Sequence, residues 1–397
     1  MEAGRKTARV LDMTQGNSLK LMLTFAIPLL IGTLFQQIYT TVDTMVVGHV
    51  LGDQAISAIG ATSSIHMLLF NLAISLNNGY AIITTQAFGA HNEKKLRYAV
   101  AGMFALNAAS VLILTTLAVI FLRPMMHFLH TPEAIFEDAY RYMLILFLGM
   151  FATLGYNTFA GILRAVGNSR TPLYCLITSS VTNVILDVLF VAVLHMGVAG
   201  AALATVLAQA LSALLCGSIV LRKYRFLIPT KDEFIVSRSM WPGMLSMGVS
   251  MAMMMCVVNI GSIIFQRANN SLGAVIITAH TAGHKIINML MQPLGTLAAA
   301  CSTFVSQNWG ARQYQRIKRA IRQVMGMEVI WGLLMIAVIY LLGEPLVRLI
   351  SGTEDKIVLA NAIMAMRVCI LGFPVLGILN CLRNSMQAMG FKKAPVM

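Results

Sequence analysis

Two acidic residues, Asp43 and Asp187, lie well inside long apolar segments of the chain, whereas nearly all other acidic residues lie between such segments or at their ends. An ionisable group inside a membrane span is costly, so its default interpretation is functional. Gln36 and Asp43 are two helical turns apart and Asn183 and Asp187 are one turn apart, which places each pair on one helix face. We therefore expect both aspartates to face protein or water. Acids merely capped by neighbouring amides are the structural alternative.

Further polar residues lie inside apolar segments of the same half of the chain, among them Asn157 and Thr205, and could join the aspartates in one pocket. Carboxylate and amide oxygens are hard ligands of the kind that bind Na⁺, and a carboxyl group can instead carry a proton. The residue types thus predict a site for H⁺ or Na⁺ and do not decide between them. Glu328 falls near the start of a later apolar segment, where we expect it within reach of the membrane interface.

The elements that position these residues are predicted to be membrane-spanning helices. Hydrophobic residues make up 58% of the chain and charged residues 11%, whereas soluble proteins carry about 25% charged residues. Ten apolar segments are long enough to cross a bilayer, which takes about 20 residues. The predicted fold class is therefore an all-α polytopic membrane protein in contact with the lipid bilayer.

The positive charge is explained by membrane topology. The formal net charge is +14, and most of the 29 Lys and Arg residues lie in the N-terminal tail and in alternate loops. Because cytoplasmic loops are enriched in Lys and Arg, these loops and the N-terminus are predicted to be cytoplasmic. No nucleic-acid partner is therefore expected. The first apolar segment lacks a signal-peptide cleavage pattern and is predicted to be a retained helix.

The sequence contains an internal repeat. TTQAFGAHNEKKLRYA (84–99) returns in the second half of the chain as VSQNWGARQYQRIKRA (305–320). RAVGNSRTP (164–172) returns at nearly the same offset as QAMGFKKAP (387–395). Each repeat begins on the same side because six spans is an even number, so we predict two parallel six-helix repeats around a central cleft. Alternating access is the mechanical use of such a cleft.

The repeat and the polar break between its copies divide the chain into two lobes. In the first repeat Pro172 is followed by a further long stretch that forms two spans, whereas Pro395 is followed only by Val396 and Met397. We therefore expect the second repeat to lack its last two helices, so that ten spans are seen. The predicted units are a first lobe at 1–222 (spans 1–6), a cytoplasmic linker at 223–241, and an incomplete second lobe at 242–397 (spans 7–10).

Span 8 of the second lobe carries Lys285 beside His280 and His284. Two histidines one helical turn apart can bind a metal, but no nearby acid or cysteine completes the set, so no metal site is predicted. Lys285 remains a possible cleft residue or an ordinary polar contact. The chain has no Walker A loop and no GxSxG, HExxH or GxGxxG motif, so ATP-driven transport and hydrolase chemistry have no support.

Several stretches together resemble the multidrug and toxic compound extrusion (MATE) transporters over nearly the whole chain. They are IPLLIGTLFQQIYTTVDTMVVG (27–48), TTQAFGAHN (84–92), LRAVGNSRTP (163–172), NVILDVLF (183–190) and GAALATVLAQ (200–209). In the DinF-like branch of that family the first lobe holds a cation-coupling site. The resemblance implies that this site comprises Asp43, Asp187, Gln36, Asn157, Asn183 and Thr205, and that Pro28 is the hinge of span 1.

The function that the resemblance implies is cation-coupled antiport without an enzymatic reaction or an organic cofactor. H⁺ or Na⁺ would drive export of amphipathic organic cations by a monomer in the plasma membrane of a bacterium. Two alternatives stay open from the residues alone. One is a lipid-linked sugar flippase of related fold, which should line its cleft with several arginines. The other is a non-transporting membrane scaffold or an inactive fragment.

Overall fold

The computed structural model describes residues 10–351 and 355–392, which form helices and short connections without a strand. The α-helices are α1 (Ser18–Leu51), α2 (Asp53–Gly89), α3 (Glu93–Phe128), α4 (Glu133–Leu148), α5 (Met150–Ala165), α6 (Arg170–Asp187), α7 (Gly197–Lys223), α8 (Lys231–Val236), α9 (Trp241–Asn270), α10 (Ala274–Gly310), α11 (Tyr314–Ser351), α12 (Lys356–Leu371) and α13 (Phe373–Ala388).

The helices agree with the predicted all-α membrane fold. Over the described ranges, nine helical segments are long and apolar enough to cross a membrane, and α12 with α13 makes a tenth if this pair counts as one span. That pair bends by 45° at Gly372. The equivalent break between α4 and α5 falls at Gly149, where a Cβ atom would collide with the Val206 side chain, so close packing against α7 requires glycine.

The helix boundaries recur in the same register as the sequence repeat. Helices α2 and α10 have equal lengths, and the offset between them equals the offset between the repeated segments 84–99 and 305–320. The starts of α3 and α11 differ by that same offset. Helices α4 and α12, and likewise α5 and α13, correspond at the slightly larger offset of the second repeated segment. The repeat is therefore structural as well as sequential, and we keep the names first lobe and second lobe for the two copies.

The two lobes meet at one end of the molecule. We call it the basic end because the Lys- and Arg-rich loops lie there. One apolar cluster joins Phe25 of α1 to Phe304 of α10, and another joins Tyr80 of α2 to Met244 of α9. The clusters near the opposite end each stay within a single lobe. Apolar burial therefore holds the lobes together at the basic end and leaves a cleft between them toward the opposite end.

A reciprocal pair of hydrogen bonds closes the basic end. Gln86 Nε2 donates to the Ala388 carbonyl at 2.8 Å, and Gln307 Nε2 donates to the Ala165 carbonyl at 3.1 Å. Each glutamine belongs to one lobe and its acceptor to the other, and donors and acceptors correspond under the repeat. We call these four residues the glutamine crossover.

Two glycines let the helices approach closely enough for the glutamine crossover to form. A Cβ atom on Gly89 would overlap the Gln307 carbonyl oxygen, and one on Gly310 would overlap the Gln86 carbonyl oxygen. The chain before α1 adds a further seal, because the Met13 amide donates to Gln307 Oε1 at 2.8 Å and the Leu11 amide donates to the Val166 carbonyl at 3.1 Å.

Candidate cation-coupling site

Asp43 and Asp187 meet in the first lobe because α1 packs along α6. Asp187, the last residue of α6, is completely buried, and Asp43 is partly buried. The two carboxyl groups lie within hydrogen-bonding range of each other. Since two ionised carboxylates offer only acceptors, this contact requires a shared proton or a cation between them. The pair is thus suited to bind one positive charge.

Asn183 and Thr205 hold one side of this pair. The Asn183 amide is best oriented with its nitrogen donating to Asp187 Oδ2 at 2.7 Å and its oxygen accepting from the Thr205 amide at 3.1 Å. The other Asp187 oxygen, Oδ1, is buried without a donor in the described part of the chain, as is Asp43 Oδ1. Buried acceptors without donors are costly. These oxygens are therefore available as ligands for a proton or a hard cation.

Two tyrosines complete the surroundings, and sequence reasoning missed both. The Tyr39 hydroxyl lies at hydrogen-bonding range of the Thr205 side chain and near both carboxyl groups. Tyr142 of α4 also lies close enough to interact electrostatically with both. Tyr39 precedes Asp43 by one helical turn, so helical spacing could have found it, whereas no sequence signal connects Tyr142 with α1.

An apolar layer separates the aspartate pair from the end of the molecule opposite the basic end. Val47 and Val191 lie one helical turn beyond Asp43 and Asp187, respectively, and both are fully buried. They pack in one cluster with Ala55, Val198 and Ala201. This layer keeps water away from the pair on that side, which strengthens electrostatic interactions there. The aspartate pair is therefore closed off by this layer on that side.

The backbone changes its helix type directly after Asp187. Residues Val188–Val193 form a π-helix, and the Leu194 amide donates to the Leu189 carbonyl, in the wide register of a π turn, at 2.9 Å. Single π turns inside helices are rare and often occur at functional sites. Nothing in the sequence of this segment indicated the change. The wider turn sets the direction in which α6 delivers Asp187 relative to the chain that follows.

The other predicted site residues are placed less directly. Gln36 has an exposed side chain, and its backbone carbonyl accepts from the Thr40 hydroxyl at 2.9 Å. The Asn157 side chain donates to the Thr153 carbonyl at 2.9 Å, and the Asn157 carbonyl accepts from Asn77 at 3.1 Å. The structure therefore brings Asp43, Asp187, Asn183 and Thr205 into direct contact and leaves Gln36 and Asn157 outside the described hydrogen bonds of the pair.

Pro28 is buried within α1. A proline in a helix interior removes one helical hydrogen bond, here to the Thr24 carbonyl, and so creates a local weak point. Lys285 is exposed on α10, and the rings of His280 and His284 stack at 5.2 Å. No cluster of three metal-ligating side chains occurs over the described ranges.

Two further charged residues are enclosed by protein in ways that the sequence analysis did not predict. The side chain of Glu328 is completely buried in α11 against Gly377 of α13. Neither of its carboxyl oxygens has a hydrogen-bond partner among the described residues. Arg164 lies in the last turn of α5 and lines a cavity between the lobes. The positions of charged residues along the sequence show which of them lie near helix ends. They do not show which of these side chains are buried between helices.

The burial of Glu328 predicts how its replacements affect stability. The Glu328 carboxyl group has no partner among the described residues whose interaction could be lost. The isosteric neutral change Glu328→Gln should therefore alter the free energy of unfolding by no more than about 1 kcal/mol, because it buries no new charge. Glu328→Lys should destabilise the protein by several kcal/mol. Thermal unfolding in detergent measures both, and Glu344→Lys, at an exposed position of the same helix, is the control. Equal melting temperatures for Glu328→Lys and its control would contradict the described burial.

Long apolar helices arranged in two repeated lobes, with an acid pair enclosed within the first lobe, are typical of a polytopic membrane transporter. A family model described as MatE matches residues 28–189 and 250–397, more than half of the chain. The chain therefore belongs to the MatE family.

Individual proteins and structures support this assignment. The chain is 28% identical to the probable multidrug resistance protein YpnP of Bacillus subtilis, over 96% of this chain and 84% of that protein. It is 29% identical to DNA damage-inducible protein F of Escherichia coli, over 89% and 76%. A crystal structure described as MATE in the bent conformation superposes with a TM-score of 0.91 at 20% identity, over 98% and 86% of the two chains.

Proposed function

We propose that this protein is an antiporter that exports amphipathic organic cations by alternating access, with H⁺ or Na⁺ as the coupling ion. The observation that carries the proposal is the contact between Asp43 and Asp187 amid buried oxygens that lack donors. The multidrug resistance proteins to which the chain is similar support the class of cargo. No organic cofactor and no enzymatic step are needed.

The coupling is proposed to run through α1. This helix carries Asp43 in one half and, in the other, Phe25, which packs against the second lobe. Pro28 lies between them and gives α1 a point at which it bends. Binding of a cation by the aspartates pulls α1 toward α6 and so changes the contact with the second lobe. A ligand shifts such an equilibrium only by its different affinities for the two states.

The proposed orientation places the basic end and the N-terminus in the cytoplasm of a bacterium whose plasma membrane holds the protein as a monomer. The cleft between the lobes then opens outward. A cation entering from outside reaches the first lobe while the glutamine crossover closes the cytoplasmic side. Release of the cation follows when the lobes exchange their contacts.

Transport in proteoliposomes tests the proposal and identifies the ion. The full chain is reconstituted, ethidium uptake is followed by fluorescence, and either a pH gradient or a Na⁺ gradient is imposed. Either the pH gradient or the Na⁺ gradient should accelerate ethidium uptake. The ionophore that dissipates that gradient should abolish the acceleration, because a coupled carrier draws its driving force from the ion gradient. Protein-free liposomes are the control. Uptake that ignores both gradients would refute coupled antiport.

A further inference from the structure

A second polar site lies between the lobes, close to the glutamine crossover and apart from the aspartate pair. A cavity of about 210 Å³ is lined by α1, α2 and α5 of the first lobe and by α9, α10 and α13 of the second. Ala165 lines it and accepts the hydrogen bond of Gln307, so one edge of the cavity is the glutamine crossover itself. A ligand in this cavity contacts both lobes at the point where they meet.

The cavity lining combines apolar side chains with several polar ones and a single guanidinium group, that of Arg164. Arg164 is enclosed by protein yet keeps a partly accessible surface, because the cavity lies against it. No carboxylate belongs to the lining, and Arg164 forms no ion pair within residues 10–351 and 355–392. An arginine enclosed by membrane-spanning helices without an acidic partner is costly unless a ligand or water meets it.

Two further side chains near Arg164 can donate hydrogen bonds into the cavity. Asn78 and Ser302 line the cavity without a hydrogen bond to any other described residue. The hydroxyls of Thr85 and Thr303 instead donate to carbonyls within their own helices, at 2.8 and 3.2 Å. Arg164, Asn78 and Ser302 therefore remain as free donors, two from the first lobe and one from the second.

We infer that this cavity binds one acid group, a carboxylate or a phosphate monoester, carried by the exported compound. A guanidinium group matches the two oxygens of such a group with two parallel hydrogen bonds. A single arginine suits a single acid group, whereas a pyrophosphate would call for several. The inference deepens the proposed function, on which it rests, because it predicts that amphipathic cations that also carry one acid group bind more tightly, through Arg164, than those without one.

A matched pair of dyes tests the inference. Rhodamine B and its ethyl ester share one cationic ring system and differ in a single carboxylate. Fluorescence anisotropy measures the binding of each to the purified full chain in detergent, without any ion gradient. The protein should bind the acid about tenfold more tightly than the ester, which is the scale of one charge-assisted hydrogen-bonded pair.

Variants assign the preference to Arg164. Arg164→Gln should bring the two affinities within about twofold by weakening the acid alone, and Arg164→Lys should keep part of the preference because the charge is retained. Unchanged binding of the ester shows that each variant is folded, and Arg222→Gln on α7, outside the cavity, is the control. Equal affinity of the unaltered protein for both dyes, or a preserved preference in Arg164→Gln, would overturn the inference.

The acid group could also belong to an anionic lipid. Adding phosphatidylglycerol to the detergent micelles separates the two sources, because a cargo site keeps its preference for rhodamine B whereas a lipid site loses it. Loss of the preference would overturn the assignment to cargo. Because binding is measured without transport, failure of coupled antiport would leave these results unchanged, and failure of the dye preference would leave gradient-driven uptake of ethidium unchanged.

Discussion

Replacing Asp187 by asparagine should reduce gradient-driven efflux to the level of protein-free liposomes. The amide keeps the volume of the carboxyl group but can neither take up a proton nor supply an anionic ligand to a cation. Asp187 is completely buried beside Asp43. No exposed acid can substitute for it. Asp43→Asn should have the same effect, and ethidium transport in proteoliposomes measures both.

The design of this experiment separates coupling from folding. Asp138→Asn, at an exposed position on α4, is the matched control and should keep full activity. Because the two aspartates are proposed to act as a unit, we expect the double variant to be no worse than either single variant. Undiminished gradient-driven efflux in Asp187→Asn or Asp43→Asn would refute the assignment of the coupling site.

Adding a single methyl group at Gly89 should prevent the basic end from closing. A Cβ atom there overlaps the Gln307 carbonyl, which is backbone and cannot move aside like a flexible side chain. Gly89→Ala should therefore separate α2 from α10 and break the hydrogen bonds of the glutamine crossover on both sides. Gly310→Ala should act in the same way through the Gln86 carbonyl. We expect both variants to lose most transport, since one of the two alternating states is lost.

Spin labels can measure this separation. Lys94 and Gln315 are exposed, lie at the basic end and correspond under the repeat, so cysteines at these positions report the distance between the lobes. Cys256 and Cys369 would be replaced by serine because they are accessible to the label, whereas the other four cysteines are buried and can stay. Gly295→Ala on α10, where a Cβ atom has nothing within 4 Å, is the control. Equal label distances in Gly89→Ala and Gly295→Ala would show that the lobes do not close as described.

The features that could be predicted from the sequence are those that follow from apolar length, from the internal repeat, or from the free-energy cost of burying a charged group. Apolar length predicted the spans, and the internal repeat predicted the correspondence of α2 with α10. The cost of burying an acid pointed to Asp43 and Asp187, and helical spacing pointed to Asn183. Asp43 and Asp187 could be expected to lie together because each is the one acidic residue well inside its apolar segment, the first and the fifth of the chain.

Other features depend on contacts between distant helices and have no local signal. Tyr142 reaches the aspartates only because α4 passes close to the site. Arg164 looks like one more basic residue at a helix end, and only the packing of the lobes encloses it. The burial of Glu328 depends on the packing of α11 against Gly377 of α13, which no pattern within α11 indicates.

The π-helix after Asp187 has a consequence for how that residue can turn. A π turn holds one residue more than an α turn, so the segment Val188–Val193 contains a surplus residue much as a crystal contains a dislocation. Such a defect can migrate by exchanging hydrogen-bond partners one residue at a time. If it passes Asp187 toward the start of α6, the side chain swings about the helix axis by the angle of one residue, about 100°. The carboxyl group then leaves Asp43 while α6 remains hydrogen-bonded throughout.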